Sequence, residues 1–323
     1  MPDDVAANET RLPRGLTVGH WTDRVGRTGC TVIIAPDGAV GGVDVRGAAS
    51  STLCTDTLRP GTLVDRVHAI LLTGGSAFGL EAAGGVMRYL EQHDIGYELV
   101  AARVPIVAGA VIFDLPIGDP RARPDRDSGY AACAAATDSP EVGSVGAGTG
   151  ASVAKGGDGS GLRPGGLGIA AATVGNADAT GDGDSGDSRG GGNGAAAPGA
   201  ARVVALMVVN AVGGIWDDRR HEWVAEPGPW DHSSALVAGA NTTIGVVATD
   251  AQLTTEQANR LATVAHDGIA RAIRPSHTMY DGDTIFCMAT GAVPAAYDAV
   301  EAVAVDVVAQ AIAGGVRAAA QPL

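Results

Sequence analysis

Runs of apolar residues in the first half of the chain predict strands separated by turns and one long helix. Strands are expected at residues 30–35 and 39–45, joined as a hairpin by the turn sequence Pro36-Asp37-Gly38. A buried strand at 67–72 leads into the turn Thr73-Gly74-Gly75-Ser76. Apolar positions at helical spacing then predict a helix at about 77–93.

The second half alternates strand and helix patterns in a less regular way. Strands are predicted at 169–174 and 203–209, which we expect to pair, and at 246–248 and 284–290. Thr254-Thr255-Glu256-Gln257 is typical of a helix start, and this helix should run to about residue 273. A C-terminal helix begins near residue 295. The elements interleave without the regular alternation of a parallel barrel, so we predict a single α/β catalytic domain over residues 1–323 with layered sheets.

The composition limits the function classes that need to be considered. The net charge of −14 and the absence of Lys and Arg clusters argue against nucleic-acid binding. No apolar run approaches the roughly 20 residues of a membrane span, and the polar N-terminus lacks a secretory apolar region, so we expect a cytoplasmic protein without a membrane partner. The four cysteines are widely spaced and are expected to be buried free thiols (Cys30, Cys54, Cys133 and Cys287).

Glycine-rich stretches raise the question of a bound nucleotide or metal. The segment 146–151 matches part of a dinucleotide motif, but no helix follows it and no acidic residue ends a second strand at the expected distance. The low-complexity segment 176–201 contains aspartates in an order that does not fit a calcium loop, so it is expected to be a mobile surface loop. The sequence therefore predicts neither a cofactor nor a metal.

The chemistry is expected around the sequence Asn241-Thr242-Thr243-Ile244-Gly245. A threonine hydroxyl is a weak nucleophile unless a base lies nearby, and one such base is the residue's own α-amine. That amine exists only if the peptide bond between Asn241 and Thr242 is cut. The same residues are also typical of a turn that enters a strand, and both interpretations remain open on this segment alone.

Three further groups could serve such a site. Asp281-Gly282-Asp283 places two carboxylates at the mouth of a strand, although an Asp-Gly turn has the same pattern. Asn210 follows a strand and can donate to a developing oxyanion, or it can simply end the strand. Lys155 is the one lysine of the chain and lies among glycines, where it supplies a compact positive charge or reflects a bias in composition.

These groups occur together in an order that resembles a known family. The segments LTGGSAFGLEAA, AVIFD, GAGTGASVAK, VVNAVG, NTTIGVVATDA and DGDTIF resemble the DmpA-type peptidases (L-aminopeptidase/D-esterase and β-peptidyl aminopeptidase) and, within them, the nylon-oligomer hydrolases. The resemblance runs from about residue 15 to beyond residue 290. It implies a four-layer αββα sandwich, like that of the ornithine acetyltransferases and related to N-terminal-nucleophile hydrolases.

The resemblance also implies roles for individual residues. Cleavage before Thr242 would leave an α-chain of residues 1–241 and a β-chain of residues 242–323, with Thr242 as the N-terminal nucleophile. Asn210 matches the oxyanion-side asparagine, Lys155 the active-site lysine of the nylon-hydrolase branch, and Asp281 and Asp283 its carboxylate pair. Phe113 stands where that branch has a tyrosine and is expected to contact substrate.

The implied enzyme is a homotetramer of αβ units that hydrolyses small peptides or amides with a free amino group through a threonine acyl-enzyme. Short α-peptides, β-peptides, D-amino-acid amides and 6-aminohexanoate oligomers all remain candidate substrates. Two alternatives stay open: acyl transfer of the ornithine acetyltransferase type, and an uncleaved binding protein without catalytic activity.

Overall fold

The computed structural model describes residues 11–155, 162–175, 200–227 and 241–320, and its main element is a mixed sheet of nine strands. The strands are β1 (Thr17–Asp23), β2 (Thr28–Val45), β3 (Thr52–Leu53), β4 (Arg66–Thr73), β5 (Val107–Val111), β6 (Gly166–Val174), β7 (Ala201–Asn210), β8 (Thr242–Ala251) and β9 (Thr284–Val293). Their order is β6-β7-β8-β9-β2-β4-β5-β3, and β1 pairs with β2.

Four α-helices in these ranges cover the sheet, and several short elements connect it. The helices are α1 (Ala82–Gln92), α2 (Arg126–Ala134), α3 (Thr255–Ala272) and α4 (Tyr297–Ala319). Short 3-10 helices occupy Thr55–Leu58, Ser76–Glu81 and Gly146–Gly148. Small sheets join Tyr97–Glu98 to Arg103–Val104, Ser152–Val153 to Arg163–Pro164, and Gly214–Asp217 to both Glu222–Ala225 and Ile273–Arg274.

Alternating side chains of the strands build three cores, which give the fold its layers. In β7, Val203, Ala205 and Met207 pack toward α3 and α4, whereas Val204 and Leu206 pack toward β2, β4 and β5. On the far side of β2 and β4, a third core joins these strands to α1 and α2. Because successive side chains of a strand point to opposite faces, this pattern stacks helices, one part of the nine-stranded sheet, its other part and helices in that order. The predicted αββα sandwich is confirmed.

Helix α3 and the pairing of β6 with β7 also follow the sequence. The Thr254 side chain accepts a hydrogen bond from the Gln257 amide, and the Gln257 side chain accepts one from the Thr254 amide, which is a complete capping box. Strands β6 and β7 are antiparallel neighbours. Of the predicted loop 176–201, positions 176–199 lie outside the described residues, and Ala201 already begins β7.

The predicted hairpin at residues 30–45 is wrong. The two segments form the single 18-residue strand β2, and Gly38, with φ 71, lies in an irregularity of this strand instead of a chain reversal. The first part of β2 pairs with β1 and β4, and the last part pairs with β9 and β4. Pairing with distant strands therefore satisfies the backbone hydrogen bonds that a local hairpin would have supplied.

Two expectations drawn from composition also need correction. Helix α4 is long and apolar enough, by length and composition, to cross a membrane, and 56% of its most apolar window is buried inside the protein. Its contacts with the core under β7 and β9 account for that apolar character. Among the cysteines, Cys30, Cys133 and Cys287 are buried free thiols as expected, but Cys54 is exposed.

Candidate active site

The ends of three adjacent strands meet at one edge of the sheet. Strand β7 runs antiparallel to β8, and its last residue, Asn210, pairs with the first residue of β8, Thr242. Strand β9 runs parallel to β8, so both begin at this edge, and Asn241 forms a bridge with Asp281 just before them. A strand end and two strand starts therefore bring residues from three distant segments together.

The peptide bond between Asn241 and Thr242 is buried at this edge. Thr242 is 4% exposed and Asn241 is fully buried. The Thr242 hydroxyl contacts the Asn241 carbonyl oxygen, and the Gly282 amide donates a hydrogen bond of 2.9 Å to the same oxygen. The Asn241 carbonyl thus lies beside the hydroxyl of the next residue, and a backbone N–H is directed at its oxygen. A backbone N–H in this position can stabilise the negative charge of an oxyanion.

Gly282 is close to this carbonyl because it lacks a side chain. A Cβ at position 282 would lie 2.7 Å from the Ala49 carbonyl oxygen, 2.8 Å from Thr242 Oγ1 and 3.0 Å from Ser50 Cα. Two of these atoms belong to the backbone and cannot rotate away.

A Gly282→Ala variant should therefore displace the 282 amide from the Asn241 carbonyl. A displacement of about 1 Å can reduce a reaction rate by roughly 100-fold, so we expect any cleavage at the 241–242 bond to slow by about that factor. Intact-mass measurements over time provide the rate. Gly314→Ala in α4 is the matched control, because a Cβ there meets nothing within 4 Å. Equal rates in the two variants would exclude a role for the Gly282 amide.

Asn210 connects Thr242 to Lys155. Its side-chain oxygen accepts hydrogen bonds from the Lys155 ammonium at 2.8 Å and from the Ser152 amide at 3.0 Å. Its side-chain nitrogen donates to the Phe113 carbonyl at 3.3 Å. Phe113 is half-buried, and this contact is made by its backbone. Asn210 is therefore held from three sides with its register to Thr242 fixed.

The Lys155 ammonium is in an environment that disfavours its charge. Burial lowers the pKa of Lys155 to about 7, even though the negative charges of Asp281 and Asp114 act to raise it. The sequence predicts a fixed positive charge at this position, whereas a lysine with a pKa near 7 is about half neutral at neutral pH. Such a group can accept a proton as well as stabilise a negative charge.

The two carboxylates of the Asp-Gly-Asp segment point to different partners. Asp281 accepts hydrogen bonds from the Thr278 amide and hydroxyl at 2.9 and 2.5 Å. Asp283 accepts hydrogen bonds from the Thr243 amide and from His277, each at 2.7 Å. Burial, with a smaller contribution from the charge of Asp283, raises the pKa of Asp281 to about 6. These hydrogen bonds of Asp281 and Asp283 therefore hold the backbone next to Thr242 in place. None of the hydrogen bonds described here joins either carboxylate to the Thr242 hydroxyl.

The structure brings together all the residues that the sequence suggested for the site. Their roles in a reaction stay predictions. Sequence reasoning missed four contributors to the same cluster. These are the Gly282 amide, His277, Thr278 and Asp114, whose buried carboxylate accepts hydrogen bonds from Thr28 and the Gly75 amide. His277 lies only four residues before Asp281, so a titratable side chain next to a carboxylate pair was a signal that could have been used.

The chain is similar over most of its length to known proteins. The peptidase family S58 model matches residues 14–322. An uncharacterized aminopeptidase of Mycobacterium bovis is 42% identical over 89% of this chain and 85% of its own length. A 6-aminohexanoate-oligomer endohydrolase of Kocuria sp. is 31% identical over 85% of this chain and 73% of its own length.

Two solved structures share the fold at low sequence identity. The L-aminopeptidase D-Ala-esterase/amidase of Ochrobactrum anthropi, described as a variant of the Ntn-hydrolase fold, has a TM-score of 0.68 and 17% identity, covering 97% of this chain and 89% of that chain. A β-aminopeptidase of Burkholderia sp. has a TM-score of 0.64 and 22% identity, covering 97% and 90%. The chain therefore belongs to peptidase family S58 and is a hydrolase of peptide or amide bonds built on a variant of the Ntn-hydrolase fold.

Proposed function

We propose that the chain cuts itself between Asn241 and Thr242 and then hydrolyses amides with Thr242 as an N-terminal nucleophile. The observation that carries this proposal is the geometry at the Asn241 carbonyl, where the Thr242 hydroxyl and the Gly282 amide meet at the same group. The intact chain holds no α-amine at residue 242, so another group must serve as base for the first cut. Lys155, with a pKa of about 7, is the group we assign to it.

Self-cleavage then has two stages: the Thr242 oxygen replaces the Thr242 nitrogen on the Asn241 carbonyl carbon, and water hydrolyses the resulting ester. The Thr242 oxygen bonds to the Asn241 carbonyl carbon while its proton moves to the base, and the Gly282 amide stabilises the negative charge that develops on the carbonyl oxygen. The carbon–nitrogen bond breaks as the nitrogen of Thr242 takes up a proton, which leaves an ester between the two residues. Water hydrolyses this ester and leaves the Asn241 carboxylate, a free hydroxyl and a free α-amine on Thr242.

The same hydroxyl would then attack the substrate amide. The α-amine of Thr242, whose ordinary pKa of about 8 suits proton transfer at neutral pH, takes the proton and returns it to the leaving amine. We assign oxyanion stabilisation to Asn210, which is paired with Thr242. Water releases the acyl group as an acid.

We propose amides with a free amino group as substrates, with Phe113 in contact with them. The relatives named aminopeptidase and 6-aminohexanoate-oligomer endohydrolase support this class. The buried carboxylates of Asp281 and Asp114, which act on the Lys155 ammonium, give the site a negative component that suits a cationic amine. We further propose a cytoplasmic tetramer of αβ units, whose mass can be measured by light scattering.

The first experiment is to measure the masses of the purified protein and its hydrolysis products. We expect fragments 1–241 and 242–323 to accumulate together. The cut protein should release amine from at least one of four substrate classes: short α-peptides, β-peptides, D-amino-acid amides and 6-aminohexanoate oligomers.

N-acetylated versions of the same substrates serve as matched controls. An aminopeptidase should lose activity on them, whereas an endohydrolase should not. Adding an amine acceptor in place of water distinguishes hydrolysis from acyl transfer. A chain that stays intact and hydrolyses none of the four classes would rule out the proposed function.

A further inference from the structure

Asp283 connects the start of β8 to a pair of histidines that the reaction described above does not use. One oxygen of its carboxylate accepts the Thr243 amide at 2.7 Å. The other accepts the Nδ1–H of His277 at 2.7 Å and the His277 amide at 3.3 Å. Because Thr243 directly follows Thr242, whatever holds Asp283 in place also holds the backbone of the nucleophile.

His277 has a backbone conformation that few residues adopt. Its φ of 53 lies in the left-handed region, which is uncommon for a residue with a Cβ. The next residue, Thr278, is tied to Asp281 through both its amide and its hydroxyl. Two consecutive residues thus each bind one carboxylate of the Asp-Gly-Asp segment. A strained conformation that is held in this way beside a candidate active site suggests a functional constraint.

The second histidine, His266 in α3, packs against the His277 ring. Their ring centroids are 5.0 Å apart, with an angle of 60° between the planes. His266 is fully buried, and its Nε2 is 3.1 Å from the Asp44 carbonyl oxygen, so Nε2 carries the proton of the neutral ring. Burial lowers the pKa of His266 to about 4, and the ring stays neutral at neutral pH. His266 therefore supports His277 without competing for Asp283.

The charged groups around His277 lie on several elements. Burial and the positive charge of Arg46, at the end of β2, disfavour its protonation. The hydrogen bond and the negative charge of Asp283 outweigh them and raise the pKa of His277 above its ordinary value of 6.5. The negative charge of Asp44 acts on His266, and Asp281 accepts hydrogen bonds from Thr278, the residue after His277. Among the residues described here, no three His, Cys, Asp or Glu side chains are arranged to hold a metal ion.

We propose that His277 is a positioning residue, which holds Asp283 so that its carboxylate fixes the Thr243 amide and directs the Thr242 hydroxyl at the Asn241 carbonyl. The inference rests on the proposed function of Thr242 as the nucleophile. His277 does not contact the reacting atoms, and its effect passes through Asp283. The protonated ring binds the carboxylate more strongly than the neutral ring does, because a hydrogen bond between two charged groups is stronger.

Two substitutions at position 277 separate the side-chain contact from the backbone conformation. His277→Asn keeps a donor nitrogen near the position of Nδ1, and asparagine tolerates the left-handed region. His277→Gly adopts the same backbone without strain but has no donor. We expect self-cleavage to slow by roughly 10- to 100-fold in the glycine variant and to remain within about 3-fold of the original in the asparagine variant.

The pH dependence adds a readout that a purely structural role would not change. The raised pKa of His277 means that its charge is present below pH 6.5 and is lost as the pH rises through the pKa of the folded protein. The rate of self-cleavage should contain this ionisation in the original protein and lack it in His277→Asn. An unchanged pH profile of self-cleavage in His277→Asn would count against the proposal. This test holds even if His277→Gly does not fold.

Amide hydrogen exchange tests the contact without any reaction. In a Thr242→Val background, which cannot use the hydroxyl, the Thr243 amide should exchange roughly 10-fold faster with His277→Gly than with His277→Asn, because a hydrogen bond that holds Asp283 is lost. The Val247 amide in the middle of β8 is the internal control for global stability. Equal exchange at Thr243 in both variants would overturn the role of His277. A failure of self-cleavage in the original protein would instead overturn the proposed function and leave this comparison valid.

Discussion

A Thr242→Val variant is expected to remain a single chain of 323 residues and to lose amide hydrolysis. Valine keeps the branched shape of threonine at a site that is 4% exposed, so the fold should survive while the hydroxyl is lost. Removing the nucleophile of a hydrolase that uses an acyl-enzyme reduces kcat by up to about 10⁶-fold. Intact mass after prolonged incubation reports the cut, and amine release from the best substrate reports hydrolysis.

The neighbouring residue provides the matched control. Thr243 is fully buried, and its hydroxyl has no hydrogen-bond partner among the described residues, so Thr243→Val should be tolerated without loss of a contact. We expect this variant to cut itself and to hydrolyse substrate within about 3-fold of the original protein, which is the range left when no hydrogen bond is lost. Efficient cutting by Thr242→Val would remove Thr242 from the mechanism.

Local patterns were sufficient to predict several elements of the fold. The capping box of α3 can be inferred from four consecutive residues because its two hydrogen bonds join Thr254 and Gln257 within one turn. The apolar run in β7 predicts a strand, and the structure places its alternate side chains in two different cores. In both cases the determining interactions are close in sequence or depend only on the period of the apolar residues.

Long-range pairing decided the elements that the sequence did not predict. Pro36-Asp37-Gly38 favours a chain reversal, but β4 and β9 pair with β2 and keep it extended through this point. Strand β8 also extends beyond the predicted residues 246–248, for a related reason. Only residues 246–248 form a clear apolar run, yet Thr242 and Thr243 are buried because β7 pairs with β8 up to Asn210.

In the candidate site, too, some contributors can be predicted from the sequence and others cannot. Thr242, Asn210, Lys155, Asp281 and Asp283 were identified from strand ends and from resemblance to a family, and the structure brings them together. The Gly282 amide could not be predicted, because a backbone N–H leaves no trace in side-chain chemistry. The contact between His277 and Asp283 depends on a left-handed residue whose conformation is set by tertiary packing. The pKa of Lys155 is lowered by burial, which the glycine-rich sequence around this residue does not reveal.

We expect the ionisation of Lys155 to control how the rate of self-cleavage depends on pH. The intact chain has no α-amine at residue 242, so the first cut isolates the contribution of Lys155 from that of the amine formed later. If neutral Lys155 accepts the proton of Thr242, the rate of cutting should rise as the pH increases through about 7. Asp281, with a pKa of about 6, should contribute a separate ionisation at lower pH.

Lys155→Met should remove the ionisation near pH 7 and slow the cut by roughly 10²- to 10⁴-fold, the usual contribution of a positioned base. Methionine retains the unbranched length of the lysine stem, and the Ser152 amide still binds the Asn210 side chain. Freshly purified precursor should be followed by intact mass between pH 5 and 9. A rate of cutting that keeps its rise near pH 7 in this variant would assign the base to another group.

Stability measurements give an independent test of the same pKa. An unfolded chain holds the Lys155 proton up to its ordinary pKa of 10.5, whereas the folded chain releases it near 7. Between these values the unfolded state binds more protons, so the free energy of unfolding gains a contribution that increases with pH and is lost as the pH falls through 7. Denaturant titrations of the Thr242→Val protein with and without Lys155→Met isolate this contribution, because both proteins stay uncut. Parallel pH dependences in the two proteins would show that Lys155 keeps its proton in the folded state, and the cut would then require a different base.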